Sequence, residues 1–490
     1  MPRLRSLAAV LAALAFVLGA PQPSAAAAST AEPPAELRAT AARLIAEAEA
    51  AHDAYDGLGE LCDRIGNRLS GSPQLDSAIA WATARMRSEG LANVHTEKVM
   101  VPVWVRGHES AEMIAPRRHP IRMLGLGMSV GTGPGGIMGD VVAVDSFPQL
   151  DALGERGIRG RIVLFDVPFK SYGETVRYRG AGASRAARYG AIGVLVRSIS
   201  PVSLSTPHTG SLGYVDSLPK IPAAAITLED ATLIHRLIQR GETVTVRLQM
   251  EAHRLPDAPS ANVIGEVVGR EHPEEVVAIG GHIDSWDVGQ GAQDDGVGLT
   301  ISMEAAHLIH RLGLKPRRTI RVVLWVNEEN GLRGGRGYRT AHLADLQRHD
   351  AAIESDIGNG LVLGLGLDLR PWAAAGDTVA ADTTGRVAAA RDRDGALATL
   401  RSIASLLAPI GPVEVHAGGA DADVSPLAAA GVPAIGLEHD TTHYFDVHHT
   451  DADTFDKIDP VALGKNVATM AVLAWSLADW PAPLRPAPGR

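Results

Sequence analysis

The stretch Gly280–Gly296, GGHIDSWDVGQGAQDDG, constrains this chain more than any other. It follows an apolar run, Val276–Ile279, that reads as a buried strand. It precedes a helical repeat in which Val297, Ile301, Ala305, Leu308 and Leu312 share one face. A strand that leaves through a glycine-rich, acid-bearing loop into a helix is a building block of a parallel α/β sheet. The pattern recurs from Ala261 onward in ANVIGEVVG, TIRVVLWVN, AAIESDIG and PAIGLEHD, with helices predicted near Leu397–Leu407 and after Asp459-Pro460. The expected fold class is therefore α/β, a mixed and largely parallel sheet sandwiched by helices.

At 490 residues the chain predicts a two-domain body. Residues 34–121, mainly helical and ending in the strand-like HTEKVMVPVWVRG, read as the first part of the main domain. Residues 122–252 change character: GRIVLFDVP, AIGVLVRSI, IPAAAIT and TVTVRLQM look like strands, with helical runs at Gly182–Tyr189 and Leu228–Arg240. They read as a lobe inserted into a domain that resumes over 253–480. Gly366–Arg393, without clear periodicity, reads as a long surface loop. Residues 1–28, with a basic start, an apolar run from Leu7 to Leu18 and small residues at Ala26–Ala28, form a signal-peptide pattern. The apolar run falls short of the roughly 20 residues a spanning helix needs. A secreted or periplasmic protein without a stable membrane anchor is expected. A net charge of −10 with no basic stripe argues against nucleic acid. The single cysteine, Cys62, excludes an intramolecular disulfide and reads as a small buried apolar residue.

Ligands of α/β sheets gather at the carboxyl ends of strands. Five groups fall at such ends: His282 with Asp284, Asp294-Asp295, Glu328-Glu329, Glu354 with Asp356, and His448-His449 with Asp451 and Asp453. Any one of them alone is most simply a solvated turn or a structural pair. Together they suit two divalent ions about 3.5–4 Å apart that share a carboxylate. An unligated acid beside them would take a proton from water, and adjacent Glu328 and Glu329 could divide the tasks of base and ligand.

The chain resembles the co-catalytic two-zinc aminopeptidase and glutamate carboxypeptidase family, and within it the carboxypeptidase Q branch. The resemblance is carried by GGHIDSWDVGQGAQDDG, RTIRVVLWVNEENG, ESDIG, AGVPAIGLEHD and HHTDADT. RIGNRLSGS, PHTGSLGY and KIPAAAIT extend it over nearly all of the mature chain. It implies a zinc exopeptidase fold, two zinc ions per chain, a peptide substrate and a possible homodimer. His282 and Asp356 would hold one zinc, Glu329 and His449 the other, and Asp294 would bridge them. Glu328 would be the general base, and Asp284 would orient the His282 ring from behind. The family's spacing to a downstream acid, here Asp453, selects His449 over His448. Tyr444 stands where a tyrosine could polarise the scissile carbonyl, and Asp423 could line the substrate pocket or serve a turn. The resemblance makes the inserted lobe protease-associated-like. The Gly366–Arg393 segment is longer than the family leads one to expect, so substrate preference does not transfer with it.

Other patterns read as bland. Gly127–Gly131 matches the G-x-S-x-G elbow of serine hydrolases, but GTGPGG follows where a helix is required. His307 and His310 are spaced like a metal pair without a placed acidic partner. Three functional classes stand: a two-zinc exopeptidase of dipeptides or short peptides, including its aminopeptidase variant; a one-zinc glutaminyl cyclase-like acyltransferase; and a binding protein that kept the fold. The full ligand set with Glu328 favours the first.

Overall fold

The computed structural model describes residues 32–372, 383–420 and 422–485; the expected signal peptide, residues 1–28, lies outside them. Helices Ala35–Ala50, Asp53–Arg64 and Pro73–Ser88 open the described chain. The third is cut sharply: Ser72 accepts from the Leu75 N–H and Pro73 sits in its first turn. Strand β1 (Ala92–Val105) follows.

The chain then builds a second sheet. Its strands are β2 (Glu109–Ala115), β3 (His119–Ile121), β4 (Met123–Gly125), β5 (Ile137–Val144), β6 (Ile162–Phe165), β7 (Gly193–Arg197), β8 (Ala223–Ile226) and β9 (Thr245–Met250). Their order is β3-β2-β9-β5-β6-β7-β8-β4, with β5 to β8 mutually parallel. The start expected at residue 122 falls inside this sheet. The entering strand β2 pairs antiparallel with the leaving strand β9, so the lobe closes on itself from Glu109. The polar alternation of ESAEMIA, half facing water, concealed that strand.

The main sheet resumes with β10 (His253–Val267), β11 (His272–His282), β12 (Arg318–Trp325), β13 (His349–Glu354), β14 (Val362–Asp368), β15 (Glu414–Ala417) and β16 (Ala434–His439). The order is β1-β10-β12-β11-β13-β16-β14-β15. The neighbours β12, β11, β13 and β16 run parallel, so their carboxyl ends emerge side by side. The segment expected as one loop over 366–393 is shorter than that. Strand β14 reaches Asp368 and a helix begins at Thr383, while 373–382 lie outside the described residues. The strand was hidden because VLGLGLD, with glycine at alternate positions, lacks the bulk that marks a strand.

Helix Val297–Arg311 is buried along most of its length, and Pro460–Asp479 packs against it. No span beyond the N-terminus was expected from sequence, yet Pro460–Asp479 is long and apolar enough to cross a membrane. Here it is a core helix, with Val467 to Ala474 buried.

Candidate metal centre

The carboxyl ends of the four parallel strands deliver the side chains that the sequence singled out. His282 ends β11, Glu328-Glu329 follow β12, Asp356 follows β13, and Tyr444 and His449 follow β16. His282 Nε2 lies 3.0 Å from Asp356 Oδ1 and 3.2 Å from Asp294 Oδ1. His449 Nε2 lies 3.0 Å from Asp294 Oδ2 and 3.1 Å from Glu329 Oε2. Two sets of donors therefore meet at one carboxylate, with each oxygen of Asp294 facing a different imidazole. His448 is 3.5 Å from Asp294 Oδ2, and its ring stacks on His449 at 3.6 Å between centroids.

The loop that carries Asp294 is fixed through its backbone. Asp453 accepts from the Gln293 and Asp294 N–H groups at 2.7 and 3.2 Å. Asp295 accepts from the N–H groups of His282 and Gly298, which occupy both its oxygens. Gly298 has to be glycine, because a Cβ there would stand 1.9 Å from the Ser355 carbonyl oxygen. Beneath the loop, fully buried Arg68 donates to the carbonyls of Ile283, Gln290 and Gly291.

Asp284 differs from expectation in detail. The His282 Nδ1–H donates to its backbone carbonyl at 2.9 Å, while its carboxylate is 3.8 Å away. That carboxylate accepts instead from the Ser70 hydroxyl and the Glu328 N–H, each at 3.1 Å. It therefore fixes the segment bearing Glu328 more directly than the His282 ring. Asp423 is not in the cavity wall. It is fully buried, and its carboxylate accepts from the Gly335 N–H behind the site.

Electrostatics follow from crowding acids in a dry place. Burial raises the Asp294 carboxyl, yet the imidazoles of His282 and His449 outweigh it and hold Asp294 well below the usual range. Burial opposes the charge on both histidines, yet the carboxylates raise them well above theirs. Burial and the charge of Asp356 push Glu328 well up, and burial drives Asp423 to about 8. Glu329 Oε1 is a buried acceptor without a hydrogen-bond donor. Ring nitrogens and carboxylate oxygens thus converge without bonding one another fully, and this nitrogen and oxygen set suits zinc. The site opens to a cavity of about 530 Å³ whose lining includes Glu328, Tyr444, Phe445, Tyr172 and Arg179.

A pattern for peptidase family M28 matches residues 262–474. Carboxypeptidase Q of Mus musculus is 41% identical over 425 residues, 87% of this chain and 85% of that protein. Carboxypeptidase Q of Xenopus laevis is 40% identical over 89% of this chain and 88% of its own length. The chain belongs to peptidase family M28. A crystal structure of a peptidase M28 precursor from Shewanella amazonensis SB2B is 36% identical, covering 93% of this chain and 99% of that one, with a TM-score of 0.84. An aminopeptidase from Aneurinibacillus sp. strain AM-1, 21% identical over 89% of this chain and 95% of its own, shares the fold at a TM-score of 0.59. This M28 chain is a zinc metallopeptidase of the exopeptidase kind with the α/β zinc exopeptidase fold, which displaces the acyltransferase and binding-protein readings.

Some contributors to the M28 site were not singled out residue by residue. Arg68 and Ser70, inside RIGNRLSGS, Thr209, inside PHTGSLGY, and Arg179 reach it from segments far away in the chain. Two decoys also find their places. Ser129 is buried, accepts from the Ala223 N–H, and no helix follows it. His307 does have an acidic neighbour, Glu304, 3.4 Å away on its own helix.

Proposed function

We propose that this chain is an exported exopeptidase that holds two zinc ions and hydrolyses dipeptides or short peptides. The observation that carries the reading is the placement of Asp294, one oxygen toward His282 and the other toward His449. His282 and Asp356 would complete one ion's ligands, and Glu329 and His449 the other's. When bound, zinc supplies Lewis acidity that lowers the pKa of water and polarises the scissile carbonyl. Glu328, in the cavity wall, takes the proton of the attacking water and returns it to the leaving amine. Asp284 holds the Glu328 backbone in place for this task. Tyr444, also in the wall, donates its phenol hydrogen to the carbonyl oxygen as negative charge develops there. The cavity, about 530 Å³, has room for a short peptide.

Replacing Glu328 with Gln tests the reading. Turnover of a dipeptide panel should fall roughly 10²- to 10⁴-fold, the usual worth of a general base, while metal analysis still finds two zinc ions per chain. Near-normal turnover would remove Glu328 from the chemistry. One zinc per wild-type chain would remove the two-ion centre.

A further inference from the structure

The turn that carries Glu328 and Glu329 begins on a residue in a rare conformation. Asn327, two positions past the end of β12, is fully buried and lies in the left-handed region, with φ +68°. That region is costly for residues other than glycine, and asparagine enters it more readily than most. The next residue, Glu328, already stands in the cavity wall. The turn then folds back over the asparagine. The Gly331 N–H donates to the Glu328 carbonyl at 3.2 Å, and a Cβ on Gly331 would fall 2.4 Å from Asn327 Oδ1.

The Asn327 amide N–H donates to the Ser70 hydroxyl at 2.9 Å and also meets Asn330 Oδ1. Ser70 comes from the loop before helix Pro73–Ser88, 257 positions away in sequence. A serine hydroxyl has one hydrogen to give. Here it goes to Asp284 Oδ2 at 3.1 Å, so toward Asn327 the oxygen can only accept. Asp284 Oδ1 in turn accepts from the Glu328 N–H at 3.1 Å. The Asn327 side chain, Ser70, Asp284 and the Glu328 N–H therefore close a ring of hydrogen bonds around one peptide bond, Asn327–Glu328. Rotation of that peptide, which would swing Glu328, breaks the ring. Ser70, Asp284 and Asn327 are each at most 2% exposed, so solvent is not at hand to replace a lost bond. A general base works only within hydrogen-bond reach of the proton it takes. We propose that Ser70 and Asn327 are positioning residues for Glu328, which through Asp284 pin the Asn327–Glu328 peptide and hold the carboxylate against the attacking water. The proposal rests on the reading of Glu328 as the general base.

The test uses the zinc-loaded full chain and a dipeptide substrate. It compares Ser70→Ala, Asn327→Gly and Glu328→Gln with the two double variants that add Glu328→Gln to each of the first two. Asn327→Gly keeps the left-handed backbone free of steric cost and removes the amide alone. Ser70→Ala and Asn327→Gly should each lower kcat roughly 10- to 100-fold, the effect of displacing a reacting group by about 1 Å, with KM within about 2-fold and zinc per chain unchanged. Added to Glu328→Gln, neither should slow turnover by more than about 2-fold further, because a residue that acts through the base then has nothing to position. Equal losses with and without Glu328 overturn the proposal. So does wild-type kcat in either single variant, a rise in KM with kcat intact, or a loss of zinc. If one single variant does not fold, the other decides; if neither folds, the ring is only structural and the proposal falls. Near-normal turnover by Glu328→Gln alone would instead remove the base reading itself, a result distinct from additive losses.

Discussion

In the proposed two-ion centre both halves depend on Asp294, which among the described residues is the carboxylate within 3.2 Å of both imidazoles. Replacing it with Ala should release metal from both positions, and zinc after dialysis should fall below one per chain. Glu328→Gln, by contrast, should lose turnover alone. Retention of two ions by Asp294→Ala would exclude a bridging role. The candidate residues of this centre were legible in the sequence because each lies in a segment that leaves the carboxyl end of an apolar strand, where a parallel sheet has to place its loops, and the family resemblance divided the roles among them. For Asp423 the sequence left two roles open, lining the pocket or serving a turn, and in the structure its Oδ1 accepts from the Gly335 N–H. A single sequence cannot tell an acid that faces a cavity from one that faces a backbone amide.

At the scale of elements, the loop between β11 and helix Val297–Arg311 is irregular and nearly all buried, so its carbonyls need donors. Arg68 supplies them across 215 to 223 positions of sequence. Its own backbone N–H donates to the Ser285 hydroxyl, which ties the opening helices to the loop. Arg68→Met keeps much of the bulk and removes the donors, leaving the Ile283 and Gln290 carbonyls without theirs while Gly291 keeps the Gly296 N–H. The expected cost is about 3–5 kcal/mol, with weaker zinc retention as the Asp294 segment loosens. Denaturant unfolding of the zinc-loaded protein measures the first and competition with a chelator the second. A midpoint equal to wild type would show that water takes over these bonds. Nothing in RIGNRLSGS alone announces this duty, since its meaning lies in partners that only the folded chain brings near.

For the whole molecule, the two sheets form one functional body. The Thr209 N–H donates to the His449 carbonyl, Arg106 pairs with Asp287, and Trp286 packs so closely on Gly127 that a Cβ there would overlap its ring. The sequence conveyed the presence of two sheets but not this joint, because hydrogen bonds between loops leave no periodicity. At the opposite end of the main sheet, where β13 begins, lies a titratable group remote from the metal centre. His349 is buried between Tyr338, whose hydroxyl bonds its Nε2 at 2.8 Å, and the Asp345 carbonyl. Burial lowers it from 6.5 to about 3, so the folded chain keeps it neutral while the unfolded chain protonates it near 6.5. Its contribution is fully present above pH 6.5 and is lost as pH falls toward 3, amounting to about 2 kcal/mol of lost stability at pH 5. The neighbouring Asp350, raised to about 7 by burial, has the opposite sign, so the comparison has to be made between variants rather than between pH values alone. His349→Gln cannot take up the proton. Its unfolding free energy should therefore fall less than that of wild type between pH 7 and pH 5, by about 2 kcal/mol, with zinc content equal in both. Parallel pH dependence in the two proteins would show that the His349 site admits the proton without unfolding.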